Sequence, residues 1–382
     1  MADHARLSPS SSHRWMNCPG SVRLSEQCPV PQGTAYTEEG TEAHKLAEYK
    51  LLRLLADPLV EKRLAKREET AKKRMKYYCG EMEEAATFYS DIVTEKLLAA
   101  GETAELMVEQ KFSLEDWVPG GFGSADAVII AGDAIEVCDL KYGKGVKVDA
   151  EGNPQLRLYG LGAAALFGGL YDISRVRVTV IQPRLDHVST EEITLEELLR
   201  WAETEVKPKA AMAAGDDGYI ACGEWCRFCP AKALCRARAE ENLKLAAYEF
   251  RKPDLLSRDE IGEILAKADM LEKWAADVAG YALERALAGD TFSGWKLVEG
   301  RSVRKYADEL AVAKTLMQAG YEEALLYERK LYGITAMEKI VGKKKLTTLL
   351  DGLITKPPGK PVLVPDSDKR EPINTAAADF KE

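Results

Sequence analysis

Apolar and polar positions alternate with different periods along the chain, and each change of period marks an element. Residues 34–55 (TAYTEEGTEAHKLAEYKLLRLL) set Leu46, Tyr49, Leu51, Leu52 and Leu55 in a helical stripe, with Thr41 as the expected N-cap. Residues 80–100 predict a second helix ending at Gly101, and 104–112 a strand. The period then shortens to two. Gly121 to Lys141 (GFGSADAVIIAGDAIEVCDLK) holds two apolar-rich runs around Gly132-Asp133, which predicts a hairpin closed by a type II′ turn. GVKVDA (145–150) reads as a short strand-like piece. Asn153 and Pro154 supply an N-cap and first turn for a helix running to Gly168-Gly169. SRVRVTVIQP (174–183) alternates as a strand, and 194–214 is helical again. The order strand, strand, strand, helix, strand predicts an α/β core with a helix crossing one face of the sheet.

Beyond residue 245 the pattern is mainly helical, with segments at 257–288, about 307–319 and 335–353. A strand-like GWKLVEGRSVRKY interrupts them, and the proline-rich polar tail is expected to be extended. Two domains are therefore expected, an α/β domain over 1–245 and a helical accessory region over 246–382.

The hairpin carries the chemistry. If Gly132-Asp133 form the turn, Ala131 faces Ala134, and counting outward sets Asp126 opposite Asp139, with Lys141 on the same face. Two opposed carboxylates repel by roughly 0.2–1 kcal/mol unless a positive charge lies between them. A divalent cation answers that need, since Mg²⁺ takes one or two carboxylates plus water and phosphate oxygens. A lysine beside it suits metal-assisted phosphodiester hydrolysis. A solvated strand face would carry the same Asp-x-Lys tripeptide. Gln155 and Tyr159, four apart, share one helix face, as a substrate-binding pair or a structural one. His44 lies one turn before Glu48 on the first long helix.

Composition narrows the setting. The 382 residues are 46% hydrophobic and 30% charged, and no apolar run approaches the roughly 18 residues of a membrane span. The N-terminus lacks a signal peptide's apolar core, so a cytosolic protein with no membrane partner is expected. A net charge of −9 means that nucleic acid would need a local basic patch. Lys62 to Lys76 (KRLAKREETAKKRMK), followed by Tyr77 and Tyr78, is the candidate, and a solvated helix face is the competing reading. Cys226 and Cys229 stand in Cys-x-x-Cys spacing, with Cys235 beyond Pro230. Three thiols converging there favour a metal site, with Cys222 or the turn residue Cys18 as the fourth ligand.

Taken together, GTEAH with His44, GSAD with Asp126, DLK with Asp139 and Lys141, Gln155-x-x-x-Tyr159, and Cys18 with Cys226, Cys229 and Cys235 form an ordered set. The set resembles the RecB-like branch of the PD-(D/E)XK nucleases, in its iron–sulfur subset of AddB-type subunits and CRISPR-associated exonucleases. The N-terminal SHRWMNCPGSV segment and the tail also look like an uncharacterised phage and prophage family. The resemblance implies a restriction-endonuclease-like core, a mixed sheet flanked by helices, with an iron–sulfur staple and a helical C-terminal region. It implies a Mg²⁺- or Mn²⁺-dependent deoxyribonuclease, an exonuclease acting on single strands or ends in phage DNA replication, recombination or end processing. A helicase, single-strand-binding or recombination protein would be its partner, in the bacterial host cytoplasm.

By the same resemblance His44, Asp126 and Asp139 bind the divalent ion, with the Leu140 carbonyl as a further oxygen on offer, and Lys141 holds the attacking water. Gln155 and Tyr159 contact DNA or support the site. Cys18, Cys226, Cys229 and Cys235 hold a four-iron–four-sulfur cluster, with Cys222 an alternative ligand and Zn²⁺ an alternative metal. Closing a loop of about 200 residues in this way would be strongly stabilising. Asp139 stands where the family often has Glu, and Ala125 where the superfamily's name has proline. No ATP-binding motor motif is present. A non-catalytic DNA-binding or assembly module that keeps the cluster for shape is the alternative.

Overall fold

The computed structural model describes residues 5–28, 34–244, 256–296 and 309–318, with single positions 298, 342, 345, 349 and 350. Two short helices, α1 (Ser12–Asn17) and α2 (Ser21–Glu26), precede the long α3 (Ala35–Leu54). The N-cap of α3 is Thr34, not Thr41. Thr34 and Thr37 bond reciprocally, side chain to backbone, which starts the helix two turns earlier than Thr41 would. Thr41 instead returns its hydroxyl to the Thr37 carbonyl. α4 (Pro58–Lys72) is capped by Asp57, and α5 (Gly80–Ala100) stops at Gly101 as expected.

The sheet is mixed and five-stranded, in the order β1 (Glu105–Ser113), β2 (Phe122–Ala131), β3 (Ala134–Leu140), β4 (Arg175–Gln182) and β5 (His187–Thr194). Only β3 and β4 run parallel, and α6 (Pro154–Phe167) is their crossover. The β2–β3 turn has the expected register, Ala131 against Ala134. Gly132 sits at φ 58° while Asp133 stays at negative φ, the pattern of a type II′ turn.

Each face of the sheet is covered. Phe112, Val128, Ile130, Ile135, Val137, Val176 and Val178 pack with α1, α6, α7 (Leu195–Trp201) and α8 (Lys207–Ala214). Ala127, Ile129, Cys138, Leu140 and Ile181 pack on the other side with α3 and α5. Two readings required correction. β5 was not expected, because its alternation is carried mostly by polar side chains, a pattern that suits an edge strand. GVKVDA is no strand: the buried Gln182 side chain accepts from the Val148 N–H and donates to the Val146 carbonyl, taking the place of a strand partner.

Residues 195–214 are helical throughout, with Thr194 as N-cap and α7 and α8 joined by one widened turn at Ala202–Val206. α9 (Arg236–Leu243) follows the cysteine segment. The long helix α10 (Arg258–Leu287) carries Asp277, which receives the buried Arg238 at 2.7 Å and Lys232 at 2.6 Å. The chain divides into two compact units, Met1–Glu284 and Arg285–Glu382, and α11 (Glu309–Gln318) belongs to the second. The strand-like 294–306 lies largely outside the described residues, as do the 335–353 helix, apart from four single positions, and the tail.

Candidate active site

β3 ends at Leu140, at the carboxyl end of the parallel pair where the chain leaves for α6. In open α/β sheets that is where ligands bind. Continuing the β2–β3 register one step past Ala127 and Cys138 sets Asp126 opposite Asp139. Asp126 is held at two points. Its Oδ2 accepts the Leu140 N–H at 2.7 Å, and its Oδ1 lies 3.0 Å from His44 Nδ1 on α3. Asp139 is buried, with 3% of the residue exposed. The Lys141 ammonium stands 2.6 Å from Asp139 Oδ2 and pairs with it.

The electrostatics are asymmetric. Burial raises the Asp139 carboxyl above its ordinary value and Asp126 raises it further, although Lys141 opposes both. Burial also acts to raise Asp126, but the His44 charge, its hydrogen bond and the Leu140 N–H outweigh it, and Asp126 is lowered. Burial disfavours a charged His44, yet Asp126 beside it and Asp139 beyond hold the imidazole at about 9. Across the site, α6 presents Gln155, whose Nε2 donates to the Tyr159 hydroxyl at 2.9 Å. Burial first, then the Asp139 charge, push the Tyr159 hydroxyl up. The sheet and its two flanking layers thus bring His44, Asp126, Asp139, Lys141, Gln155 and Tyr159 into one neighbourhood.

Glu109 also belongs to this neighbourhood, and the sequence reading missed it. It interrupts the β1–β2 ladder at the position opposite Asp126, and its φ of 53° is unusual for a residue with a side chain. Although the residue as a whole stays exposed, loss of solvent around its carboxyl, then Asp126 and Glu48, push it up to about 7. His44 and Lys45 pull the other way. Its only signal in sequence was register, and the β1–β2 connection, residues 114–121, is too long to transmit register as a two-residue turn does.

The cysteines gather at a second place. The N-terminal segment docks beside residues 218–221: the Gly20 N–H donates to the Tyr219 carbonyl at 2.9 Å. A Cβ on Gly20 would meet the Gly218 carbonyl oxygen at 2.4 Å, so only glycine permits the approach. This leaves Cys18, at the end of α1, accepting the Ala221 N–H on its Sγ at 3.3 Å. Burial raises the Cys18 thiol, and nearby Cys226 adds to it. Burial, then Cys226, Cys235 and Cys18, push Cys222 up to about 12. Cys229 feels Cys226 and Cys18, and Cys28, a residue not expected here, feels Cys235. The thiols share a neighbourhood, but among the described residues no three His, Cys, Asp or Glu side chains stand close enough to share an ion. No helix among the described residues is long and apolar enough to cross a membrane.

Among solved structures, one titled "Crystal structure of SSO0001" is similar to this chain at 15% identity, covering 54% of this chain and 98% of that one, with a TM-score of 0.25. Residues 4–371 match the family described as "Protein of unknown function (DUF2800)", and the chain belongs to that family.

Proposed function

We propose that this chain is a divalent-cation-dependent deoxyribonuclease of the RecB-like PD-(D/E)XK kind, an exonuclease working on single strands or ends in phage DNA replication, recombination or end processing. One observation carries the reading: two carboxylates face each other across a hairpin, with a lysine paired to the buried one. Opposed carboxylates repel, and a cation held between them relieves that repulsion. The hairpin preceding a β3–α6–β4 crossover supports the restriction-endonuclease-like fold.

The donor types suit a hard cation, although as they stand His44, Asp126 and Asp139 are not close enough together to share one. Asp126 and Asp139 would hold Mg²⁺ or Mn²⁺ with His44 as third ligand, the direct His44–Asp126 bond giving way. When bound, the cation supplies Lewis-acid polarisation of the phosphate. Hydrolysis splits one P–O ester bond with water, leaving a hydroxyl and a phosphomonoester. Lys141 places a positive charge where the anionic transition state develops and can donate to the water. Gln155 and Tyr159, locked to each other, present a hydroxyl and an amide to the strand. Cys18, Cys226, Cys229 and Cys235 would hold the four-iron–four-sulfur cluster, with Cys222 as the alternative ligand.

The test is cleavage of end-labelled linear single- and double-stranded DNA by anaerobically purified protein with Mg²⁺ or Mn²⁺, beside Asp139→Ala. Cleavage by the parent alone is expected. DNA that both proteins bind and neither cuts would overturn the enzyme in favour of a binding module.

A further inference from the structure

Between α3 and α4 lies a groove of about 800 Å³ that the catalytic reading leaves unused. Its least exposed walls come from Glu42, Tyr49, Ala71 and Met75, and its exposed rim carries Arg63, Lys66, Arg67 and Arg74, with Lys45 on the α3 side. Arg63, Lys66, Arg67, Thr70 and Arg74 recur at helical spacing, which gathers them on one face of the α4 segment.

The charges of this segment are sorted by face. Lys72 meets Glu68 at 2.7 Å, Glu83 at 3.1 Å and Glu69 at 3.3 Å. Arg53 takes Glu61 at 2.7 Å and Glu68 at 2.8 Å, and Lys50 takes Glu83 at 2.7 Å. Arg63, Lys66, Arg67 and Arg74 make no ion pair among the described residues. In a chain of net charge −9, four uncompensated cations along one groove form a local field opposite to that of the whole molecule. The acids at Glu61, Glu68, Glu69 and Glu83 are spent on the other face, and the one carboxylate lining the groove, Glu42, accepts the Lys76 and Tyr77 backbone N–H groups.

We propose that this groove binds a single strand of nucleic acid and leads it to the acid pair. The proposal rests on the nuclease reading for what the strand is delivered to, and on the groove alone for binding. Apolar walls under a cationic rim suit a strand whose bases turn inward and whose phosphates stay outside. A duplex offers such walls no base face. On the α3 side Lys45 sits over the buried Tyr49 ring at 5.3 Å and pairs with Glu48 at 2.6 Å. Lys45 also follows His44 directly on α3, so the α3 side of the groove is one residue along the chain from the candidate catalytic centre.

The experiment is fluorescence anisotropy of a fluorescein-labelled oligothymidylate with the full chain in EDTA, which separates binding from cleavage. The variant R63Q/K66Q changes the groove. K62Q/K73Q removes the same charge from exposed positions of the same run that do not line it. Thermal melting checks that both variants fold, as expected for exposed side chains. R63Q/K66Q should weaken binding at least tenfold and lower the salt slope by about 1.4, at roughly 0.7 per phosphate contact on a single strand. K62Q/K73Q should stay within twofold of the parent.

Equal losses in the two variants, a loss seen on duplex but not on the single strand, or no binding by the parent would each overturn the groove. A parent that cleaves DNA while R63Q/K66Q binds normally rejects the groove and leaves the nuclease standing. A parent that binds through the groove and never cleaves rejects the nuclease alone.

Discussion

Two isosteric substitutions at the acid pair are expected to move stability in opposite directions. Asp139 is raised, so the fold favours its neutral form: its contribution is fully present at low pH and lost as pH rises through the folded value. At neutral pH the ionised Asp139 therefore costs stability, and Asp139→Asn should relieve about 0.2–1 kcal/mol of cross-strand repulsion. Asp126 is lowered, so its contribution is present above the ordinary carboxylate value and lost as pH falls through the folded one. Asp126→Asn weakens the pairing with His44. Full burial would make that loss about 3–5 kcal/mol, while exposed pairs are worth about 0.2–1. The side chains here are 35% and 19% exposed, which discounts the loss to roughly 1–2 kcal/mol. At roughly 2–4 °C per kcal/mol for 150–250 residues, Asp139→Asn should raise the melting temperature by up to about 4 °C and Asp126→Asn lower it by about 2–8 °C. The assay is thermal melting at pH 7 in EDTA. Shifts of the same sign would refute the asymmetry. A Mn²⁺ titration adds a second arm: at a hundredfold excess over its Kd, a cation should stabilise the parent by about 2.7 kcal/mol, and either Asn variant far less.

Other expectations follow from particular contacts. Glu68, 1% exposed between Arg53 and Lys72, is held below its ordinary range: burial opposes its charge, but the Lys72 and Arg53 hydrogen bonds prevail. Glu68→Gln should cost about 1–3 kcal/mol at pH 7 by denaturant melts and converge with the parent as pH falls below about 4, where the parent loses its own contribution. A constant gap down to pH 2 would reject the linkage. Gln182→Ala should unpair the Val148 N–H and the Val146 carbonyl at about 1–3 kcal/mol, read as faster amide exchange at Val148; unchanged exchange there would show that the loop does not depend on Gln182. Anaerobic protein is expected to be brown and to bind iron, with Cys18→Ser losing it; colourless protein holding zinc would reject the iron–sulfur assignment.

Local signals with hard geometric content were legible. Gly132-Asp133 told the turn type, and counting from it paired Asp126 with Asp139 before any coordinate existed. Asn153 and Pro154 told where α6 begins and hence that Gln155 and Tyr159 share a face. What stayed hidden depends on partners far away in sequence. β5 reads as polar because one edge has no neighbour strand among the described residues, and 145–150 reads as a strand because its partner is a side chain. The basic run at 62–76 was visible as charge, but which cations are neutralised is decided by Arg53, Lys50 and Glu83 from other helices.

The docking of Gly20 against Tyr219 joins residues about 200 positions apart, and it has a consequence for synthesis. Trp15, Met16 and Val22 are buried, yet α8, which helps cover them, is made only after the whole sheet. At about 5–20 residues per second, a ribosome delivers α8 roughly 10–40 s after α1. During that interval the N-terminal segment can meet α6 and the sheet but lacks the cover that α8 provides. Docking of the N-terminal segment is therefore timed by translation of the segment around 207–221, and a pause placed just before it would prolong the exposure most.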